Sequence, residues 1–151
     1  MTKPITIELL KKHKACQDQV DKFREIFGEE IVPTRELCLL HAQDFNFLWL
    51  KRFLNKSSYE SFVKIWKTAC DSQYKITLPA WDVYNKETAF AKKIYDSTTN
   101  QNSYENSIIA WEIYEKSVSP VRRVYDDIIF SAWKNYKEVV ALAWFDAWEN
   151  Q

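Results

Sequence analysis

The side chains most able to do chemistry here are two histidines, three cysteines and two acidic pairs. His13 stands in a lysine-rich turn and His41 at the end of an apolar stretch. Neither has a second histidine, cysteine or carboxylate at a metal-ligand spacing. Glu29-Glu30 and Asp126-Asp127 are neighbours in sequence. Adjacent helical residues point about 100° apart, so such a pair is not a pair in space. Cys16, Cys38 and Cys70 are odd in number and widely spread, and none forms a CxxC pair. They read as reduced, packed thiols. The expectation is therefore a chain without catalytic residues, metal or cofactor. The basic runs at 11–14, 92–93 and 122–123 have acids within four residues, and that at 51–52 is two residues long. They do not make the basic face that a nucleic-acid binder shows.

The elements that would position any site must be built almost without glycine. Gly28 is the only one in 151 residues, beside four prolines. Tight hairpins and phosphate-cradling loops need several residues at positive φ, so an all-α fold is expected. Charge is balanced, 21 Lys and Arg against 21 Asp and Glu. The longest apolar run, residues 139–145, falls far short of the ~20 residues that span a bilayer. The N-terminus carries no apolar stretch of signal-peptide length. Together with the reduced thiols, these features predict a cytoplasmic protein with no membrane partner.

Periodicity marks the helices. A short one follows Thr6 and ends near Ala15. A second carries Cys16, Val20, Phe23 and Phe27 and stops at Gly28. Thr34 caps a third. Asp44 is expected to cap a fourth through Phe53. Ser57 and Glu60 have the spacing of a capping box and open a fifth through Ala69. Pro79 suits the first turn of a helix ending near Tyr95. The polar run 96–103 reads as a loop, and a helix from Ser103 to Val118 follows. Ser119-Pro120 opens the last. One domain covers 1–151, with short helices in 1–56 and long ones in 57–151.

The second half repeats its rings. Tyr84 and Tyr95 are eleven residues apart, as are Tyr114, Tyr125 and Tyr136. Trp81, Lys92, Trp111, Arg122 and Trp133 stand three positions earlier, and Trp144 continues the series. Eleven residues close almost three helical turns, so each series holds one face. The expected architecture is a helical bundle with a short-helix N-terminal cluster and long C-terminal helices bearing this repeat. Most of these rings should fill the space between helices. Seven Trp are many for one core, and Trp, Tyr and Arg dominate protein-binding hot spots. Trp111, Arg122, Trp133, Trp144 and Trp148 are accordingly expected to form an exposed partner-binding cluster.

The segment Ala15-Cys16-Gln17-Asp18-Gln19-Val20, with Phe23, Phe27 and Gly28, resembles the opening of a group of small bacterial and phage proteins. These are described as immunity proteins of polymorphic toxin systems. The aromatic segment 44–49 and the repeat beginning Pro79-Ala80-Trp81-Asp82-Val83-Tyr84 are similar to theirs. The resemblance covers most of the chain. It implies a stoichiometric inhibitor that binds and neutralises a toxin effector, often a nuclease, and it brings no catalytic residues. A phage-encoded anti-defence protein, such as an anti-CRISPR that blocks a CRISPR-Cas complex, is a close variant. The other readings are a nucleic-acid-binding helical protein, which balanced charge opposes; an enzyme with an unfamiliar helical site; and a homodimer built on the aromatic faces.

Overall fold

A computed structural model describes residues 3–99 and 104–151. The fold is an all-α helical bundle: short elements at the N-terminus, then two long helices. The order is β1 (Ile5–Thr6), α1 (Ile7–Lys12), α2 (Gln17–Phe27), β2 (Glu30–Ile31), α3 (Arg35–Leu40), a 3-10 helix (Trp49–Phe53), α4 (Lys56–Thr99) and α5 (Tyr104–Glu149). β1 and β2 form an antiparallel pair with Ile5 opposite Ile31. The short-element part ends where α4 begins.

Local chemistry accounts for the short elements. The Thr6 and Thr34 hydroxyls accept from the N–H groups of Leu9 and Leu37 at 3.1 and 3.2 Å, each satisfying a first-turn donor. α1 closes in a Schellman arrangement. The Lys14 N–H donates to Lys11 and the Ala15 N–H to Leu10, with Lys14 in the left-handed region at φ 60°. Gly28 ends α2 at φ 76° and ψ −142°, a conformation open in practice only to glycine. A β-carbon there would meet nothing within 4 Å.

Four expectations about the elements are corrected. Asp44 caps no helix: residues 41–48 are turns, closed by the N–H groups of Asp44 and Phe45 on the His41 carbonyl, and only Trp49–Phe53 coil, as 3-10. The capping box at Ser57 and Glu60 is displaced by Asn55, whose side chain accepts from the Ser58 N–H at 2.9 Å. Pro79 and Pro120 lie inside α4 and α5 rather than at their starts. Each removes one donor to the carbonyl four residues earlier, and the long helices persist through the gap. The polar run expected as a loop from 96 is helical through Thr99. Ser97, Thr98 and Thr99 turn their hydroxyls back onto the carbonyls of Ile94, Tyr95 and Asp96. The remainder of that loop, 100–103, and the expected helix start at Ser103 lie outside the described residues.

The chain forms two compact units, one of Met1–Asp71 with Lys134–Gln151, the other of Ser72–Trp133. The first holds a full core. Leu10, Val20, Phe23, Phe45, Phe47, Leu50 and Phe62 pack with Val140, Ala141 and Trp144. Trp144 has no exposed surface. Its ring stacks on Trp148 at 5.6 Å and tilts against Phe47 at 5.8 Å. Small residues make room for it: Ala141, Ala143 and Ala147 are all buried. Arg35 and Asp146 pair at 2.6 Å at the edge. Burial, and secondarily the Asp146 carboxylate, pushes the Cys38 thiol up to about 12. The Tyr136 hydroxyl is also raised, chiefly by burial, while it accepts from the Trp66 indole N–H at 2.9 Å.

Two predictions follow from the turns and the thiol. Gly28→Ala lowers unfolding free energy by about 1–2 kcal/mol through backbone strain alone, whereas Lys14→Gly raises it by about 0.5–1 kcal/mol; urea titration of both variants reads the opposite signs. The Cys38 thiol is raised in the folded state, so its stabilisation is complete below pH 9 and declines up to about 12. Stability falls there by up to about 1.4 kcal/mol per pH unit. Cys38→Ala flattens that decline in a pH series of melts, and Tyr136 leaves a residual slope.

Candidate interaction surface on the helical hairpin

The unit Ser72–Trp133 consists of the 72–99 stretch of α4 and the 104–133 stretch of α5. Tyrosines fill its seam. Tyr84 meets Tyr125 with ring centres 5.0 Å apart, and Tyr95 meets Tyr114 at 5.5 Å. The earlier ring on one helix meets the later ring on the other, so the helices run antiparallel. Trp81 lies 5.8 Å from both Tyr84 and Tyr125. Trp111 lies 5.8 Å from Tyr114 and 5.9 Å from Tyr95. The eleven-residue spacing thus puts tyrosine in the seam and the residue three positions earlier on its flank.

Symmetry between the two helices, not visible as an eleven-residue repeat, organises this unit. Residues 80–84 read AWDVY and 110–114 read AWEIY; residues 92–96 read KKIYD and 122–126 read RRVYD. A thirty-residue offset relates them. With the helices antiparallel, that offset acts as an approximate two-fold axis across the seam. It relates Trp81 to Trp111, Tyr84 to Tyr114, Lys92 to Arg122 and Tyr95 to Tyr125. Thr88 and Val118, also so related, are both buried. Comparing the helices at offsets other than eleven would have revealed the relation from sequence.

The expected cluster divides. Trp111, Arg122 and Trp133 share one flank of α5, because steps of eleven drift by only about 20°. Trp111 is 50% exposed and Trp133 46%. Arg122 is gripped by Glu115, with two nitrogens 3.2 and 3.3 Å from the carboxylate oxygens. Glu115 foremost, and then the Tyr84 hydroxyl, hold its guanidinium above the ordinary range. Trp144 and Trp148 do not belong to this surface. They sit in the core of the other unit, and the Trp148 indole donates to the Lys3 carbonyl at 3.1 Å. For Trp144 the immediate neighbours in sequence were the missed cue. Trp144 stands in the longest apolar run, residues 139–145, whereas Trp81, Trp111 and Trp133 are followed by Asp82, Glu112 and Lys134; Trp148, followed by Glu149, carries no such mark.

The histidines are engaged locally. His13 packs edge-on against Phe53 at 4.7 Å, and His41 against Phe27 at 5.0 Å. His41 Nδ1 lies 3.5 Å from Asp44 Oδ2. Among the described residues, no group of three His, Cys, Asp or Glu is gathered as a metal site would need, and no helix is long and apolar enough to cross a membrane.

The hairpin is rich in uncovered apolar surface. Tyr74, Leu78, Ile108 and Tyr104 extend the tryptophan flank and are all exposed. The other flank carries an open groove of about 620 Å³ lined by Ile76, Pro79, Val83, Pro120, Val124 and Ile128 among others. Exposed apolar patches of this extent mark contact surfaces. No family model, curated protein or solved structure matches the chain.

The two classes of tryptophan separate in stability measurements. Trp148→Ala costs about 3–5 kcal/mol by opening a core cavity, while Trp111→Ala costs about 1 kcal/mol or less. Chemical denaturation of the two variants checks the contrast, and equal losses would place Trp111 in a core.

Proposed function

We propose that this chain is a non-catalytic, immunity-like inhibitor that neutralises an effector protein by stoichiometric binding through the tryptophan flank of its hairpin. One observation carries the reading. Trp81, Trp111 and Trp133 keep about half their surface exposed on a rigid helical frame. Rigid aromatics beside a fixed arginine are the makings of a binding hot spot. The χ angles of Trp81 and Trp111 are restrained by seam tyrosines, so little side-chain entropy remains to be lost on contact. The Glu115 carboxylate neutralises Arg122 locally, which favours a protein partner over a phosphate backbone. From the resemblance read in residues 15–28 we take a toxin effector as the partner class.

The test is paired affinity capture from the source cell. The native chain retains one protein at one-to-one stoichiometry, and the Trp111→Ala, Trp133→Ala double variant loses at least tenfold in affinity while keeping its helical circular dichroism. Co-expression with the captured effector restores growth only for the native chain. Retention of nucleic acid in place of a protein, with binding that collapses at raised salt, would overturn the proposal.

A further inference from the structure

The groove flank of the hairpin has a different chemistry from the tryptophan flank. Ile76, Val83 and Phe90 follow each other at seven-residue steps on α4, and Ile109, Ile113 and Val124 occupy the matching side of α5. All six are exposed; Phe90 reaches 73% and Val124 61%. Helical phase places two ionisable residues within this strip, Glu87, whose counterpart thirty positions on is Ser117, and Asp127, which shares the phase of Ile109. Inside the unit, only Thr88, Ala110, Val118 and Ala132 are buried among the described residues. Two helices share a single seam, and here the seam leaves a whole second apolar row uncovered.

We infer that this flank is covered by a second copy of the same chain, hairpin against hairpin, closing a four-helix bundle about a two-fold axis. Three features select a second copy over an unrelated protein. The face is nearly symmetric in itself, since the thirty-residue relation places Val83 opposite in role to Ile113 and Ile94 to Val124. An isologous contact requires the same patch to serve both sides, and a face that is already two-fold comes close to this. Its chemistry is that of permanent homodimers, which are the most apolar class of interface. Beyond Glu87 and Asp127 it offers few of the charged and hydrogen-bonding groups by which a transient partner is distinguished. Its extent also suffices: two rows of half-exposed branched and aromatic side chains offer on the order of 800 Å² per partner, the size of a standard stable interface. Seven-residue steps are the period by which helices pack at shallow angles in bundles, in contrast to the eleven-residue period of the seam.

Pro79 and Pro120 sit in this face, each lining the groove. Both are rigid, and each leaves the carbonyl four residues earlier without its helical donor.

Light scattering on the purified full chain, with no partner present, tests the inference independently of the proposed inhibitor role. Native protein at micromolar concentration gives twice the chain mass of 18.1 kDa. Val83→Glu and, separately, Phe90→Ser halve the measured mass and keep native helicity. Both residues are more exposed than not in the protomer, so its fold does not need them. Trp111→Ala leaves the doubled mass unchanged. A native chain that stays at the single mass through hundreds of micromolar overturns the inference. A doubled mass that survives both groove variants, or falls with Trp111→Ala, overturns it as well, because the copies would then meet elsewhere.

Discussion

Two helices in contact can hide one stripe each, and every apolar side chain beyond that stripe must find another cover. This limit governs residues 72–133. The four tyrosines of the seam use the available interface: their rings meet at 5.0 and 5.5 Å, and buried Thr88 and Val118 fill the layers between. Trp81, Trp111 and Trp133 on one side, and the Ile76 to Phe90 row on the other, lie outside it. Rings of this size expose on the order of 100 Å² each when half covered. The energetic logic of the hairpin therefore points outward, to surfaces that gain by contact.

Where the same repeat runs into the N-terminal elements, the limit is lifted. Ala132, Trp133 and Tyr136 keep the spacing of Ala80, Trp81 and Tyr84. Tyr136 no longer meets a seam tyrosine; it accepts from the Trp66 indole and lies near Cys70. Eight residues on, Trp144 is wholly enclosed by Phe47, Trp148 and small side chains. The short N-terminal elements supply the cover that the hairpin lacks. The repeat sets which ring lies on which flank, and the neighbouring elements decide whether that flank sees water.

That division explains what could be read from the chain alone. The caps at Thr6 and Thr34 and the stop at Gly28 are local, since each rests on one side chain or one φ angle. All-α character followed from the scarcity of residues able to adopt positive φ, and Lys14 is the one described non-glycine that does so. The breaks expected at Pro79, Pro120 and Asp96 misjudged a balance. A proline inside a helix costs about 3 kcal/mol in isolation, but ring packing on both sides of each proline opposes it. Trp144 and Trp148 were assigned to the surface because periodicity fixes direction around the axis and carries no information on depth. For Trp144 the apolar run 139–145 around it held that information.

The two flanks of the hairpin also differ in what they can discriminate. Indole N–H, phenol hydroxyl and guanidinium groups on the tryptophan side give direction as well as area, so a partner must match them. The opposite row has branched aliphatics, a phenylalanine and two prolines, which reward any well-shaped apolar surface. Surfaces of the second kind are hazardous if left open, since they invite indiscriminate association. A symmetric contact between copies removes the hazard, leaves the tryptophan flanks turned away from the contact, and presents two of them on one particle. Two linked sites bind a multivalent or two-fold partner more tightly than either alone, by raising the effective concentration of the second. The thirty-residue relation within the hairpin thus serves both sides: it makes one face able to meet itself and repeats the same aromatic grip on the other.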